Sequence, residues 1–160
     1  MPAINLPQFL ASKITAAGNA LQDAVAKMPD DRIAWHPEVE GNNGRDALDQ
    51  ALECAYLNEW VARGYRTGQM PSISWDDFKT ATAARRNKAD CLAWLRSSTA
   101  ALASAIADFP ADKLGDATTD PVHDGRATTW ADYAIDLFYW NTVYHEGQVN
   151  YIQVLYGDMS

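Results

Sequence analysis

The sequence predicts an all-α fold, a bundle of four long helices forming a single domain over residues 1–160. Three observations lead there. Apolar residues recur at three- and four-residue steps through four separate segments, the period that gathers them on one side of an α-helix. No run alternates apolar and polar residues convincingly enough to read as a strand. Glycine, proline and asparagine cluster between the periodic segments, where turns belong. With 160 residues, 48% of them hydrophobic, the chain can build one well-packed core and has a globular rather than a disordered composition.

The first helix covers about Pro7 to Lys27, with Asn5 as its cap, Pro7 in the first turn, and Leu10, Ile14, Ala17, Leu21 and Val25 facing inward. Met28 to Arg45 has no period and several turn residues, so it is a loop. The second helix runs from about Asp46 to Arg66, presenting Leu48, Leu52, Tyr56, Leu57, Trp60 and Val61 to the core, and Gly64, Gly68 and Pro71 break it. Ser74, with Asp77 three residues on, caps a third helix expected to run unbroken to about Asp108, where Pro110 stops it. Its clearest part is Leu92, Leu95, Thr99, Leu102, Ile106 and Phe109, in the three-four alternation of bundle packing. A second loop follows, and the fourth helix begins near Thr129.

That fourth helix raises the functional question. Trp130, Ala134, Leu137, Phe138, Val149, Ile152 and Leu155 make its apolar stripe, with Asp132, Asp136, Glu146, Asn150 and Gln153 on the solvated side. Asn141, His145 and Gln148 fall near the middle of the stripe. Each needs a partner there, since an unsatisfied buried polar group costs on the order of 1–3 kcal/mol. On the second helix the acidic candidate to meet them is Glu53, among Tyr56, Leu57 and Trp60. The helical wheel does not separate it cleanly from Asp49 and Gln50. Gln148, Trp60 and Tyr56 are the expected lining of a pocket around Glu53, Asn141 and His145.

Several function classes are excluded by composition. A formal charge of −8 opposes direct binding to nucleic acid, which needs a basic footprint. No apolar run reaches the ~18 residues of a membrane span. The N-terminus MPAINLPQFL has no basic region followed by an apolar core, so a cytoplasmic location is expected. Cys54 and Cys91 have no metal-type spacing and read as buried, reduced thiols.

The run YHEGQVNYIQVLYG resembles the end of the last helix in the DinB/YfiT-like family of candidate metalloenzymes. DDRIAWHPE is similar to that family's loop after its first helix, and GRDALDQALECAYLNEW to its second helix. The resemblance implies a four-helix bundle, a homodimer, and a divalent metal, nickel or zinc, held by one histidine on the second helix and two spaced four apart on the last. His145 matches the second of that pair. Asn141 stands at the first, and Glu53 at the helix-two position.

Two ligands are therefore changed, and two readings compete. In one, His145, Asn141 and Glu53 still hold a metal, and the resemblance then implies a small-thiol-dependent transferase or isomerase. In the other, which the substitutions favour, this polar inter-helix pocket has weak or lost metal affinity and is a closed hydrogen-bond cluster that fixes helix register; a small-molecule ligand held there without turnover is the alternative between them. Gly147 suggests a close helix approach. Outward aromatics such as Tyr139 and Tyr151 could serve a dimer interface. His36 and His123 read as exposed loop histidines, and Asp30-Asp31 and Asp76-Asp77 as turn and first-turn residues.

Overall fold

The computed structural model describes residues 4–39, 42–122 and 125–157, and it is mostly helical. Helix α1 (Leu6–Lys27) starts where Asn5 accepts the Gln8 amide at 3.3 Å, with Pro7 in the first turn. A short strand pair, β1 (Glu38–Val39) and β2 (Asn42–Asn43), closes the following loop. Helix α2 (Ala47–Thr67) opens on a reciprocal cap between Asp46 and Asp49 and ends at Gly68, whose φ of 71° is the left-handed conformation glycine adopts without strain.

The expected third helix is two helices. α3 (Trp75–Ala83) begins at Ser74, which accepts the Asp77 amide as the sequence suggested, but it buries none of its residues. α4 (Lys88–Ala107) begins afresh at Asn87, whose side chain accepts the Asp90 amide at 2.9 Å. The break between them is anchored by charges from elsewhere in the chain. Arg86 bridges Asp49 and the buried Asp46, and Lys88 reaches the Met28 carbonyl at 2.6 Å and Asp30 at 3.0 Å. These tertiary ties, with Asn87 as a cap, outweigh the strong helix propensity of Ala84, Arg85 and Arg86.

A hairpin occupies the second loop, where no strand was expected. β3 (Ala117–Asp120) pairs antiparallel with β4 (Arg126–Thr129), Ala117 opposite Thr129 and Asp120 opposite Arg126. Thr118, Thr119, Thr128 and Thr129 are β-branched and suited to strands. The inward positions of β3, Thr118 and Asp120, are polar, and burial along β4 does not alternate, so no apolar period-two signal marks the pair. The hairpin feeds directly into the last helix, because Thr129 accepts the Asp132 amide at 3.1 Å.

The last helix is not uniform either. α5 (Trp130–Asp132) passes through a π-helical stretch, Tyr133–Tyr139, into α6 (Trp140–Leu155). One extra residue in a turn rotates everything after it by about 100°. The stripe read from the sequence is rephased accordingly. Leu155, expected inside, is 43% exposed, whereas Gln153, expected outside, is buried and donates to the Ala24 carbonyl at 2.8 Å. Trp130, Ala134, Val149 and Ile152 are buried as expected; the side chains of Asp136, Leu137 and Phe138 lie outside the described residues.

α4 packs on α1 and α2, and α6 packs on the same two helices. Leu21, Val25, Leu52, Trp60, Leu95 and Ile106 are fully enclosed between them, and burying each such side chain contributes roughly 1.5–3 kcal/mol. α1 and α4 meet closely at Gly18, where an added Cβ would stand 2.3 Å from the Thr99 methyl. No helix among the described residues is long and apolar enough to cross a membrane.

Candidate functional site

α2 and α6 bring the predicted polar residues together around one imidazole. His145 is 3% exposed, and the side chains of four residues surround its two nitrogens. Nδ1 lies 2.5 Å from Gln50 Oε1 and 2.8 Å from Gln148 Oε1. With two amide oxygens facing it, Nδ1 carries the proton and donates. Nε2 lies 3.2 Å from Glu53 Oε1 and 3.3 Å from Asn141 Nδ2. The other carboxylate oxygen of Glu53 takes an ion pair from Arg45 at 2.8 Å. Arg45 is itself fixed by donating to the Asp49 carbonyl, also at 2.8 Å.

The helical spacing explains this convergence. Asn141, His145 and Gln148 are one turn apart along α6, and Gln50 and Glu53 one turn apart along α2, so two short polar ladders face each other between the helices. Cys54, next to Glu53 in sequence, donates weakly to Asn141 Oδ1 at 3.6 Å. Burial pushes its thiol far above the ordinary range, and the Glu53 carboxylate acts in the same direction. The sulfur is therefore a neutral S–H at physiological pH, not a nucleophile.

For Glu53, burial acts to raise the carboxyl pKa. The hydrogen bond and charge of His145, together with Arg45, outweigh it and hold the carboxyl below its usual value. Glu53 is thus a carboxylate at neutral pH, flanked by the Arg45 guanidinium and the His145 imidazole. When it carries a proton, Nε2 donates to the Glu53 carboxylate; when it does not, it accepts the Asn141 amide N–H.

Nickel or zinc sites use imidazole nitrogens, thiolates and free carboxylates. The donors here are one imidazole nitrogen, one primary amide and one carboxylate already neutralised by an arginine, and the adjacent thiol stays protonated. This set does not fit the ion as it stands. Among the described residues, no group of three histidine, cysteine, aspartate or glutamate side chains gathers at metal-binding range.

Sequence reasoning missed two members of the cluster. Gln50 was visible only as a neighbour of Glu53 on the wheel, one turn away. Arg45 lies just before the α2 cap and gave no signal. Tyr56 and Trp60, expected to line the pocket, are engaged on the loop before α3: the Tyr56 hydroxyl donates to the Ser74 carbonyl at 3.3 Å and the Trp60 indole to the Ser72 carbonyl at 3.1 Å. His36 is half-buried rather than exposed, and its Nδ1 has no hydrogen-bond partner among the described residues. His123 lies outside the described residues.

Beside the cluster opens a cleft of about 230 Å³, bounded by Pro37, Arg45, Gln50, Gln148, Tyr151 and Leu155. A larger depression of about 580 Å³ lies near Arg86 and Lys88, but both cations there are committed to Asp46, Asp49 and Asp30. Compared with protein-family models and with curated proteins, the sequence matches none.

Proposed function

We propose that the chain is a DinB/YfiT-like four-helix bundle whose inter-helix metal site has become an ion-paired, metal-independent pocket for a small polar ligand. One observation carries this reading: Arg45 pairs with Glu53 at 2.8 Å while Glu53, Asn141, Gln50 and Gln148 occupy both nitrogens of His145. The protein supplies the positive charge that a metal ion would otherwise bring. Arg45, Gln50 and Gln148 also border the cleft, so a ligand seated there meets a guanidinium and two amides directly. The bundle acts as a cytoplasmic homodimer.

A metal-dependent transferase or isomerase using small thiols remains the second reading. It is favoured by Nδ1 donating to Gln50 and Gln148, the orientation by which proteins fix a metal-ligating histidine. It requires Arg45 to release Glu53.

Calorimetric titration with zinc and nickel separates the two, using the native chain, N141H, and N141H combined with R45Q. The metal-independent reading expects no stoichiometric binding to the native chain, little to N141H, and a clear gain only when Arg45 is also removed. Tight binding by the native chain overturns it. Thermal-shift screening with small acids and amides should then find a saturable shift that His145→Ala abolishes.

A further inference from the structure

The outer face of α6 carries Trp140, Tyr144, Gly147, Tyr151 and Val154, at steps of four, three, four and three. Such spacing keeps all five within about 80° of arc, the seam pattern of paired helices. Among the described residues nothing covers them: Trp140 is 58% exposed, Tyr144 and Tyr151 each 63%, and Val154 50%. Tyr139, expected outward with Tyr151, is instead half-buried against the core.

Gly147, at the centre of the stripe, is the independent observation. A glycine inside a helix costs roughly 0.5–1 kcal/mol relative to alanine, and close packing would normally explain it. Among the described residues, nothing stands within 4 Å of where its Cβ would lie. The close neighbour suggested by the sequence is not among the described residues.

We propose that this face is a homodimer interface in which α6 helices from two copies pack antiparallel, crossing at Gly147 on the two-fold axis. The stripe is self-complementary about that point. Trp140 and Val154 lie seven residues either side of it, and Tyr144 and Tyr151 three and four, so each aromatic of one copy meets the opposite arm of the other. Gly147 lets the two backbones approach where a side chain would hold them apart.

The area also suits a second copy. At about 150–250 Å² per aromatic side chain, Trp140, Tyr144 and Tyr151 expose roughly 350 Å² at these fractions, and Val154 with the 43% exposed Leu155 brings the apolar total to roughly 500 Å². A stable dimer buries about 800 Å² per partner, about 65% of it apolar, which is the same amount. The stripe has no charged residue although the chain carries −8, so two like copies can meet there without opposing charges, and a basic partner has nothing there to attract it. The interface rests on the homodimer reading above and gives it a face, but it does not depend on the ligand reading, although Tyr151 and Leu155 also wall the cleft.

Sedimentation of the native chain from low to high micromolar concentration should show a monomer–dimer equilibrium. Gly147→Gln extends into open space in the monomer, so it should keep or raise the melting temperature while weakening the dimer at least about tenfold. Gly147→Cys should give a disulfide-linked dimer under mild oxidation, and Ala100→Cys on exposed α4 should not; Cys54 and Cys91 are buried. A native chain that stays monomeric throughout overturns the proposal. So does a dimer that Gly147→Gln leaves equally tight and Gly147→Cys fails to link.

Discussion

Glu53→Gln removes one charge from the cluster while keeping the shape of the side chain. Glu53 is 24% exposed and contacts Arg45 at 2.8 Å and His145 Nε2 at 3.2 Å, so it makes one close ion pair and one charge-assisted hydrogen bond. Charge-assisted bonds contribute about 1.5–3 kcal/mol, and losing a fully buried pair costs about 3–5. At this partial exposure, and with the amide still able to hydrogen-bond, a loss of about 2 kcal/mol is expected. In a domain of this size that corresponds to about 4–8 °C in melting temperature.

The pH dependence follows from the direction of the shift. The Glu53 carboxyl lies below its usual value of 4.5 in the fold. Its contribution is therefore complete above the unfolded value and disappears as pH falls through the lower folded one. Urea denaturation of parent and variant should show the full deficit at pH 7, shrinking as the medium is taken below about pH 4. A variant as stable as the parent at neutral pH refutes the ion-pair account. A deficit that persists unchanged in acid assigns the loss to packing instead of charge.

Two further outcomes test the packing. Gly18→Ala places a methyl 2.3 Å from the Thr99 side chain, so it should destabilise by about 1–3 kcal/mol despite its better helix propensity, measured by chemical denaturation. Cys54 and Cys91 should resist a thiol reagent in the native state at pH 8 and both react in denaturant. Burial pushes the Cys91 thiol up to about 12 and the Cys54 thiol higher still.

Much of the site was legible before any coordinates. Residues spaced by three and four on a helix share a face whatever surrounds them, which is why His145, Asn141 and Gln148 emerge together from the sequence and meet in the structure. Glu53 was visible because a carboxylate among aromatic neighbours needs a partner. Gln50 was harder, since a glutamine at the edge of an apolar face reads equally well as solvated. Arg45 was invisible: its role depends on how the loop before α2 folds back over Glu53, and no local pattern encodes that. The π-helical stretch was equally hidden. A single widened turn leaves composition unchanged, yet it decides that Gln153 is inside and Leu155 outside.

The sequence by itself determined the main helical segments, the caps at Asn5 and Ser74 and the polar residues of the last helix, because periodicity and capping act within a few residues of chain. Tertiary structure decided where the long third segment breaks, since Arg86 and Lys88 find their partners on other elements. It also decided the electrostatic character of the pocket. Whether a glutamate beside a histidine awaits a cation or already has one depends on a through-space distance of a few ångströms, and only the folded chain sets that distance.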